Sequence, residues 1–126
     1  MGLFVALGGL LGFLAVAIGA FGAHGLRATL EAHRTTATFQ TGVQYHMAHA
    51  LAILLVALLL DRLREGALLR ASAGLFLAGI VLFSGSLYLL SVTGARGWGA
   101  VAPLGGLCFL VGWACVLMAG LQSHGR

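Results

Sequence analysis

Four long runs without a charged side chain constrain this chain more than any other feature. The runs comprise Leu3–Ala23, Thr36–Leu60, Ala71–Ala95 and Gly97–Ser123. Because about 20 apolar helical residues, rising about 1.5 Å each, cross a hydrocarbon core of about 30 Å, every run is long enough to span a bilayer once. The sequence therefore predicts an integral membrane protein with transmembrane helices at about residues 3–23, 36–60, 71–93 and 98–121.

Composition limits what such a chain can do outside the membrane. The 126 residues are 60% hydrophobic and only 8% charged, whereas about a quarter of the residues of soluble domains are charged. The four spans use nearly the whole chain, so residues 1–126 form one membrane domain. Its seven arginines are too few and too scattered to follow a nucleic-acid backbone. We therefore expect membrane lipids, and no nucleic acid, as partners.

Short connections between the runs predict an all-α, up-and-down four-helix bundle, because neighbouring helices must then be antiparallel. Between the first two spans, Leu26, Leu30 and His33 recur on one side of a segment whose other side is charged. This pattern predicts a short interfacial helix.

Arginine counts on the two sides of the membrane favour an orientation with both termini in the cytoplasm, because basic loops tend to stay cytoplasmic. The terminal side carries Arg62, Arg64, Arg70 and Arg126, and the other side carries Arg27, Arg34 and Arg96. The expected location is the cell membrane, which is the inner membrane in a bacterium.

Small residues indicate where the helices pack, because helices in lipid associate closely only where side chains let the backbones approach. The first helix offers a stripe that includes Gly8, Gly12 and Gly19, and the fourth offers Gly106. These four glycines are the predicted packing positions.

The second helix carries an unusual polar face. Projection at 100° per residue places five residues within an arc of about 100°, namely Thr38, Gly42, Tyr45, His46 and His49. On the third helix the same projection groups Ser84, Tyr88 and Ser91, whereas Gln40 and Gln44 point nearly the opposite way from the polar face of the second helix.

The two polar stripes lie at similar depth, because the turn at 61–70 joins the end of the second helix to the start of the third. His24 emerges on the same side of the membrane. We therefore predict a polar pocket that opens near one membrane surface and is sealed by apolar packing toward the other. The predicted lining residues are His24, Tyr45, His46, His49, Ser84 and Tyr88.

Several chemistries are compatible with these side chains. His46 and His49 could be neutral histidines that bond to Ser84, Tyr88 or backbone carbonyls and so make helix packing specific. Intramembrane ionisable residues are also candidates for a ligand site. A zinc site needs three or four ligands, which only His24, His33 or Glu31 could complete, and a haem needs a large cavity. We predict no metal and no cofactor.

The leading functional hypothesis is a non-enzymatic membrane protein, because no nucleophile with a base at a defined spacing and no phosphate-binding loop is present. Its one-sided pocket would bind a lipid headgroup, a small ligand or a partner helix. The alternative is a small transporter or permeability protein, with homo-oligomers or a partner membrane protein in either case. A metal-binding or haem-binding redox protein is the third class.

Several motifs resemble one known family. They comprise Gly19–Leu26, Phe39–Tyr45 continuing to Ala52, Leu82–Tyr88, Pro103–Leu107 and Gly112-Trp113. Together they resemble the small four-helix membrane proteins called domain of unknown function 423, which include the transmembrane protein 256 group. The resemblance runs nearly end to end and implies an integral membrane protein without an established activity. The family often has glutamine where this chain has His46, which weighs against a metal role.

Overall fold

A computed structural model of the protein describes residues 2–125, and this part of the chain is helical throughout its length apart from short turns. Arg126, which contributes to the orientation count, lies outside the described residues. The α-helices are α1 (Gly2–Ala23), α2 (Arg27–His33), α3 (Thr36–Arg62), α4 (Gly66–Gly79), α5 (Gly85–Thr93) and α6 (Ala102–His124). A π-helical segment, Ile80–Ser84, joins α4 to α5, and a 3₁₀ turn, Arg96–Ala100, precedes α6.

Within residues 2–125, four helical spans are long and apolar enough to cross a membrane: α1, α3, the continuous Gly66–Thr93 and Arg96–His124. Helices suit this environment because all their backbone hydrogen bonds are internal. The predicted all-α membrane bundle is confirmed, including the short helix α2. The third span begins at Gly66 rather than near 71, since its helix continues through the exposed Arg70, whose long side chain can reach the interface.

Two backbone positions in the left-handed region end helices on the α2 side of the membrane. Arg34 ends α2 with φ 56°, and its N–H donates to the carbonyls of Glu31 and Leu30. Gly94 ends α5 with φ 72°. A Cβ on Gly94 would lie 3.2 Å from the His33 ring, so this turn needs glycine both for its backbone conformation and for its contact with α2.

The spans lie side by side in the order α1, α3, α4–α5, α6. α1 packs mainly against α3, α3 packs against both α4 and α5, and α4 packs against α6. The short helix α2 lies against α5 and α3. As a result α1 and α6 are the least buried of the four spans, and the two middle spans carry most of the interior.

The apolar core occupies the half of the molecule nearest the turn at 61–70. Fully buried residues there include Ile53, Val56, Leu69 and Phe76. In lipid such burial stabilises the fold through close packing rather than through removal of apolar surface from water. The polar residues of α3 lie nearer the other end of the bundle.

Glycines permit several of the close helix contacts, although not all at the predicted positions. Gly8 lies against Leu54, and Gly19 lies against Val43, both on α3. A Cβ on Gly12 would meet nothing within 4 Å, and one on Gly106 would meet only the Phe83 ring at 4.0 Å. The structure therefore does not place Gly12 and Gly106 at close contacts, because the rotation of each helix turns these positions away from its partner.

Glycines that the sequence did not single out make the tightest approaches instead. A side chain at Gly105 would overlap the backbone of Phe83, and one at Gly79 would overlap the Phe109 ring. Gly22 lies against the Phe39 ring in the same way. These positions depend on which residue lies opposite, and the spacing of small residues in the sequence does not contain that information.

Candidate functional site

The polar face of α3 lies inside the bundle, and His46 shows how it is used. The His46 side chain is buried, and its Nδ1 hydrogen-bonds with the Tyr88 hydroxyl of α5 at 2.9 Å. The main chain of Leu11 in α1 lies beside this imidazole, and the buried Nε2 has no hydrogen-bond partner among the residues that the structure describes. His46 therefore ties α3 to α5 and touches α1.

His49, one turn further along α3, connects to α6. Its Nδ1–H donates to the Tyr45 carbonyl at 2.8 Å, and its Nε2 accepts from the Trp113 Nε1–H at 3.0 Å. A carbonyl can only accept and an indole can only donate, so this imidazole is neutral and carries its proton on Nδ1. The ring also stacks on Phe109, with centroids 3.6 Å apart. Both ring nitrogens of His49 are thus hydrogen-bonded within the protein.

Ser84 provides the third link of this network. The Ser84 hydroxyl donates to the Gly42 carbonyl of α3 at 2.7 Å and is fully buried. It is the last residue of the π-helical segment, a geometry that often occurs at functional positions inside α-helices. At Gly42 a Cβ would lie 2.9 Å from the Tyr88 ring, so this glycine lets α5 approach.

The structure thus brings together five of the six predicted site residues, namely Tyr45, His46, His49, Ser84 and Tyr88. Tyr45 lies at the outer edge with its ring against Phe83 and remains 45% exposed. His24 is not part of this cluster. It lies exposed in the turn after α1, because α1 packs mainly against α3 and does not carry its end toward α5.

Side chains fill the space between these polar residues. The rings of Phe76, Phe83 and Phe109 pack directly against His49 and Tyr45. Within residues 2–125, no group of three or more His, Cys, Asp or Glu side chains lies close enough to share a metal ion. The geometry of this cluster suits helix packing.

A hollow of about 500 Å³ lies elsewhere, where the end of α1, the helix α2 and the first turns of α3 meet. We call it the head pocket. Its polar lining comprises Arg27, Glu31, Thr36, Gln40 and Gln44, and its apolar lining comprises Gly19, Gly22, Ala23, Leu30, Phe39 and Val43. Arg27 Nε donates to Glu31 Oε1 at 3.1 Å, and both side chains are well exposed.

The two glutamines of the head pocket have no hydrogen-bond partner among the residues that the structure describes. Both are exposed on α3, one turn apart, and both line the hollow. An amide within the membrane that lacks a partner carries a cost of several kcal/mol per unsatisfied group. The head pocket therefore offers donors and acceptors to a molecule other than this chain.

Two apolar hollows continue from the head pocket along α1 and α3. The nearer, of about 650 Å³, shares Gly19, Val43 and Gln44 with the head pocket. The farther, of about 510 Å³, shares Val16, Met47 and Leu51 with the nearer and reaches Gly8, Gly9 and Gly12. The head pocket and these two shallow, open depressions form one groove on the protein surface, the α1–α3 groove, which has polar residues at the α2 end and an apolar lining along the rest of its length.

Helix periodicity predicts that Gln40 and Gln44 lie opposite the histidines, and it does not connect these glutamines to α2. The signal is present in the sequence: Arg27 and Glu31 are one helical turn apart on α2, as are the two glutamines on α3. Only the packing of α1 and α2 against α3 shows that these two pairs surround one hollow.

Comparisons with known proteins support the membrane assignment. A family model described as a protein of unknown function, DUF423, matches residues 18–106. The UPF0382 membrane protein YwdK of Bacillus subtilis is 45% identical over 97% of this chain and 98% of its own length. The UPF0382 inner membrane protein YgdD of Escherichia coli is 43% identical over 88% of this chain and 83% of its own length.

A UPF0382 membrane protein of Haemophilus influenzae is 41% identical over 95% of this chain and 94% of its own length. No solved structure matches the chain significantly. The relatives named as membrane and inner membrane proteins, together with the four spans, establish a multi-pass protein of the cell membrane. The resemblance seen in the sequence motifs is confirmed, and the chain belongs to the DUF423 family of membrane proteins.

Proposed function

We propose that this protein is a non-catalytic membrane protein that holds one amphiphilic molecule in the α1–α3 groove. The polar part of the molecule would occupy the head pocket, and its apolar tail would lie along α1 and α3. The observation that carries this proposal is the continuity of a hollow of mixed polar and apolar lining with two apolar depressions through shared lining residues. A lipid has the same order of polar and apolar parts at the same membrane depth.

The polar lining favours an amphiphile over a partner helix in this groove. A purely apolar transmembrane helix would cover Gln40 and Gln44 without satisfying their amides, which costs free energy in lipid. A polar headgroup supplies hydrogen bonds to those amides and can reach the exposed Arg27 and Glu31. The His46–Tyr88 and His49–Trp113 bonds then have a separate role, which is to hold α3 against α5 and α6.

Blocking the apolar part of the groove tests this proposal. A Cβ on Gly12 meets nothing within 4 Å, so Gly12→Leu would project into the groove without disturbing helix packing. The matched control is Gly120→Leu, since a Cβ on this exposed helical glycine of α6 also meets nothing within 4 Å. Native mass spectrometry of the protein extracted in mild detergent would count the lipid molecules retained.

The unaltered protein and Gly120→Leu are expected to retain one lipid per chain. In Gly12→Leu the affinity for this lipid is expected to fall about fivefold or more, since an added side chain in an occupied site costs about 1–3 kcal/mol. Equal retention by all three proteins would contradict the proposal. Loss of a dimer, rather than of a lipid, in Gly12→Leu would show that a second copy of the chain occupies the groove.

A further inference from the structure

We infer that the head pocket selects a zwitterionic phospholipid headgroup with a primary ammonium, with Arg27 binding the phosphate and Glu31 binding the ammonium. This inference rests on the proposed function and adds the chemical class of the ligand. It follows from the charges that line the pocket, from their spacing and from the amides beside them.

Opposite charges stand side by side at the mouth of the head pocket. Arg27 Nε–H donates to Glu31 Oε1 at 3.1 Å, which leaves both Nη groups of the guanidinium and the other carboxylate oxygen of Glu31 for further bonds. Guanidinium groups bind phosphate through two parallel hydrogen bonds. A carboxylate accepts hydrogen bonds from an ammonium. The pair therefore presents one anion site and one cation site next to each other.

The net charge of the head pocket argues against headgroups of a single sign. Its lining includes one arginine and one glutamate and no other acidic or basic residue. A purely anionic headgroup would gain Arg27 but would meet the repulsion of Glu31. A headgroup that carries both charges satisfies both side chains, and this complementarity is a source of specificity.

The neutral polar residues extend the match toward the tail. Gln40 and Gln44 lie on α3, deeper in the membrane than Arg27. Gln44 also lines the nearer of the two apolar hollows. Their amides can donate to phosphate and ester oxygens, which occupy the boundary between headgroup and tail in a phospholipid. The order of ion pair, amides and apolar lining thus repeats the order of groups along the lipid.

A primary ammonium suits Glu31 better than a trimethylammonium. The primary ammonium donates N–H hydrogen bonds to the carboxylate, and charge-assisted bonds of this type are short and strong. A trimethylammonium has no N–H to donate. We therefore expect phosphatidylethanolamine to bind more tightly than phosphatidylcholine, and both to bind more tightly than phosphatidylglycerol.

A lipid titration of the delipidated full-length protein tests the inference. The probes are phosphatidylethanolamine, phosphatidylcholine and phosphatidylglycerol with identical acyl chains, and bound lipid is counted by native mass spectrometry. Phosphatidylethanolamine is expected to bind about tenfold more tightly than phosphatidylglycerol, because its ammonium donates a charge-assisted hydrogen bond to Glu31 that phosphatidylglycerol cannot make. Soluble glycerophosphoethanolamine, which lacks tails, is expected to compete poorly, as it leaves the apolar hollows empty.

Variants separate the two halves of the site. Glu31→Gln is expected to abolish the preference for phosphatidylethanolamine over phosphatidylglycerol, and Arg27→Gln is expected to weaken all three lipids by about tenfold. Arg96→Gln is the control, since Arg96 is an exposed arginine near the same membrane surface that does not line the pocket.

The outcomes distinguish this inference from the proposed function. Equal binding of the three lipids, with binding still lost in Gly12→Leu, would overturn the headgroup assignment and leave the groove as a lipid site. An unchanged preference in Glu31→Gln would also overturn the assignment. No lipid binding by the unaltered protein would overturn both.

Discussion

Adjacent glycines at the start of α6 show how sharply single positions differ in this protein. A Cβ at Gly105 would overlap the backbone of Phe83, whereas one at Gly106 would meet only the edge of the Phe83 ring at 4.0 Å. The overlap at Gly105 cannot be relieved by turning a side chain, because the contacting atoms belong to the main chain. One methyl group therefore has opposite consequences at neighbouring positions.

We expect Gly105→Ala to destabilise the fold by about 1–3 kcal/mol, the usual cost of overfilling a packed site. Gly106→Ala is expected to be neutral or slightly stabilising, because alanine favours helix over glycine. Thermal unfolding of the two variants in the same detergent, followed by loss of helical circular dichroism, provides the measurement. Equal melting temperatures for the two variants would contradict the close approach of α6 to Phe83.

At the scale of elements, contacts with the end of α5 hold the short helix α2 in place. The Ser91 carbonyl of α5 accepts a hydrogen bond from the Thr35 hydroxyl at 2.8 Å and lies 3.3 Å from His33 Nδ1. The turn at Gly94 brings the end of α5 against the His33 ring. Seven residues are too few for a stable isolated helix, so these contacts position α2 above the head pocket.

Gly94→Ala is expected to loosen α2, because it adds a Cβ at a left-handed backbone position, at a cost of about 1 kcal/mol or more, and crowds the His33 ring. The matched control is Gly97→Ala, which meets nothing within 4 Å. Hydrogen exchange measured by mass spectrometry over residues 27–33 should accelerate in Gly94→Ala and not in Gly97→Ala. Unchanged exchange in both variants would show that the turn at Gly94 does not hold α2.

Most elements could be predicted from the sequence, because uninterrupted apolar length determines a span and Leu26, Leu30 and His33 mark α2. The π-helical segment could not be predicted, since Ile80–Ser84 has no distinctive composition. The grouping of His46, His49, Ser84 and Tyr88 follows from helix periodicity and shared depth. The head pocket could not be predicted in this way, because it depends on where α1 and α2 pack against α3, and no local sequence pattern specifies that position.

At the scale of the whole molecule, the head pocket and the turn at 61–70 lie at opposite membrane surfaces. α3 runs between them as a continuous helix of 27 residues. The arginine count predicts that the turn at 61–70 faces the cytoplasm. The head pocket would then open toward the outer face of the cell membrane.

Labelling of single cysteines tests this orientation. In a chain with Cys108 and Cys115 replaced by alanine, His24→Cys is expected to react with a membrane-impermeant thiol reagent added to intact cells. Arg64→Cys is expected to react only after the cells are opened. Both positions are exposed, so access decides the outcome. The reverse pattern would overturn the orientation, and reaction of both positions in intact cells would contradict the single crossing of α3.

The outer position of α1 has a consequence for biogenesis. α1 packs mainly against α3, which follows it in the chain, so during synthesis α1 enters the bilayer before its partner exists. Its span is the most apolar of the four and the least buried, and it contains no acidic or basic residue. The first helix is therefore apolar enough to lie alone in the bilayer, and the groove forms only when α3 inserts beside it.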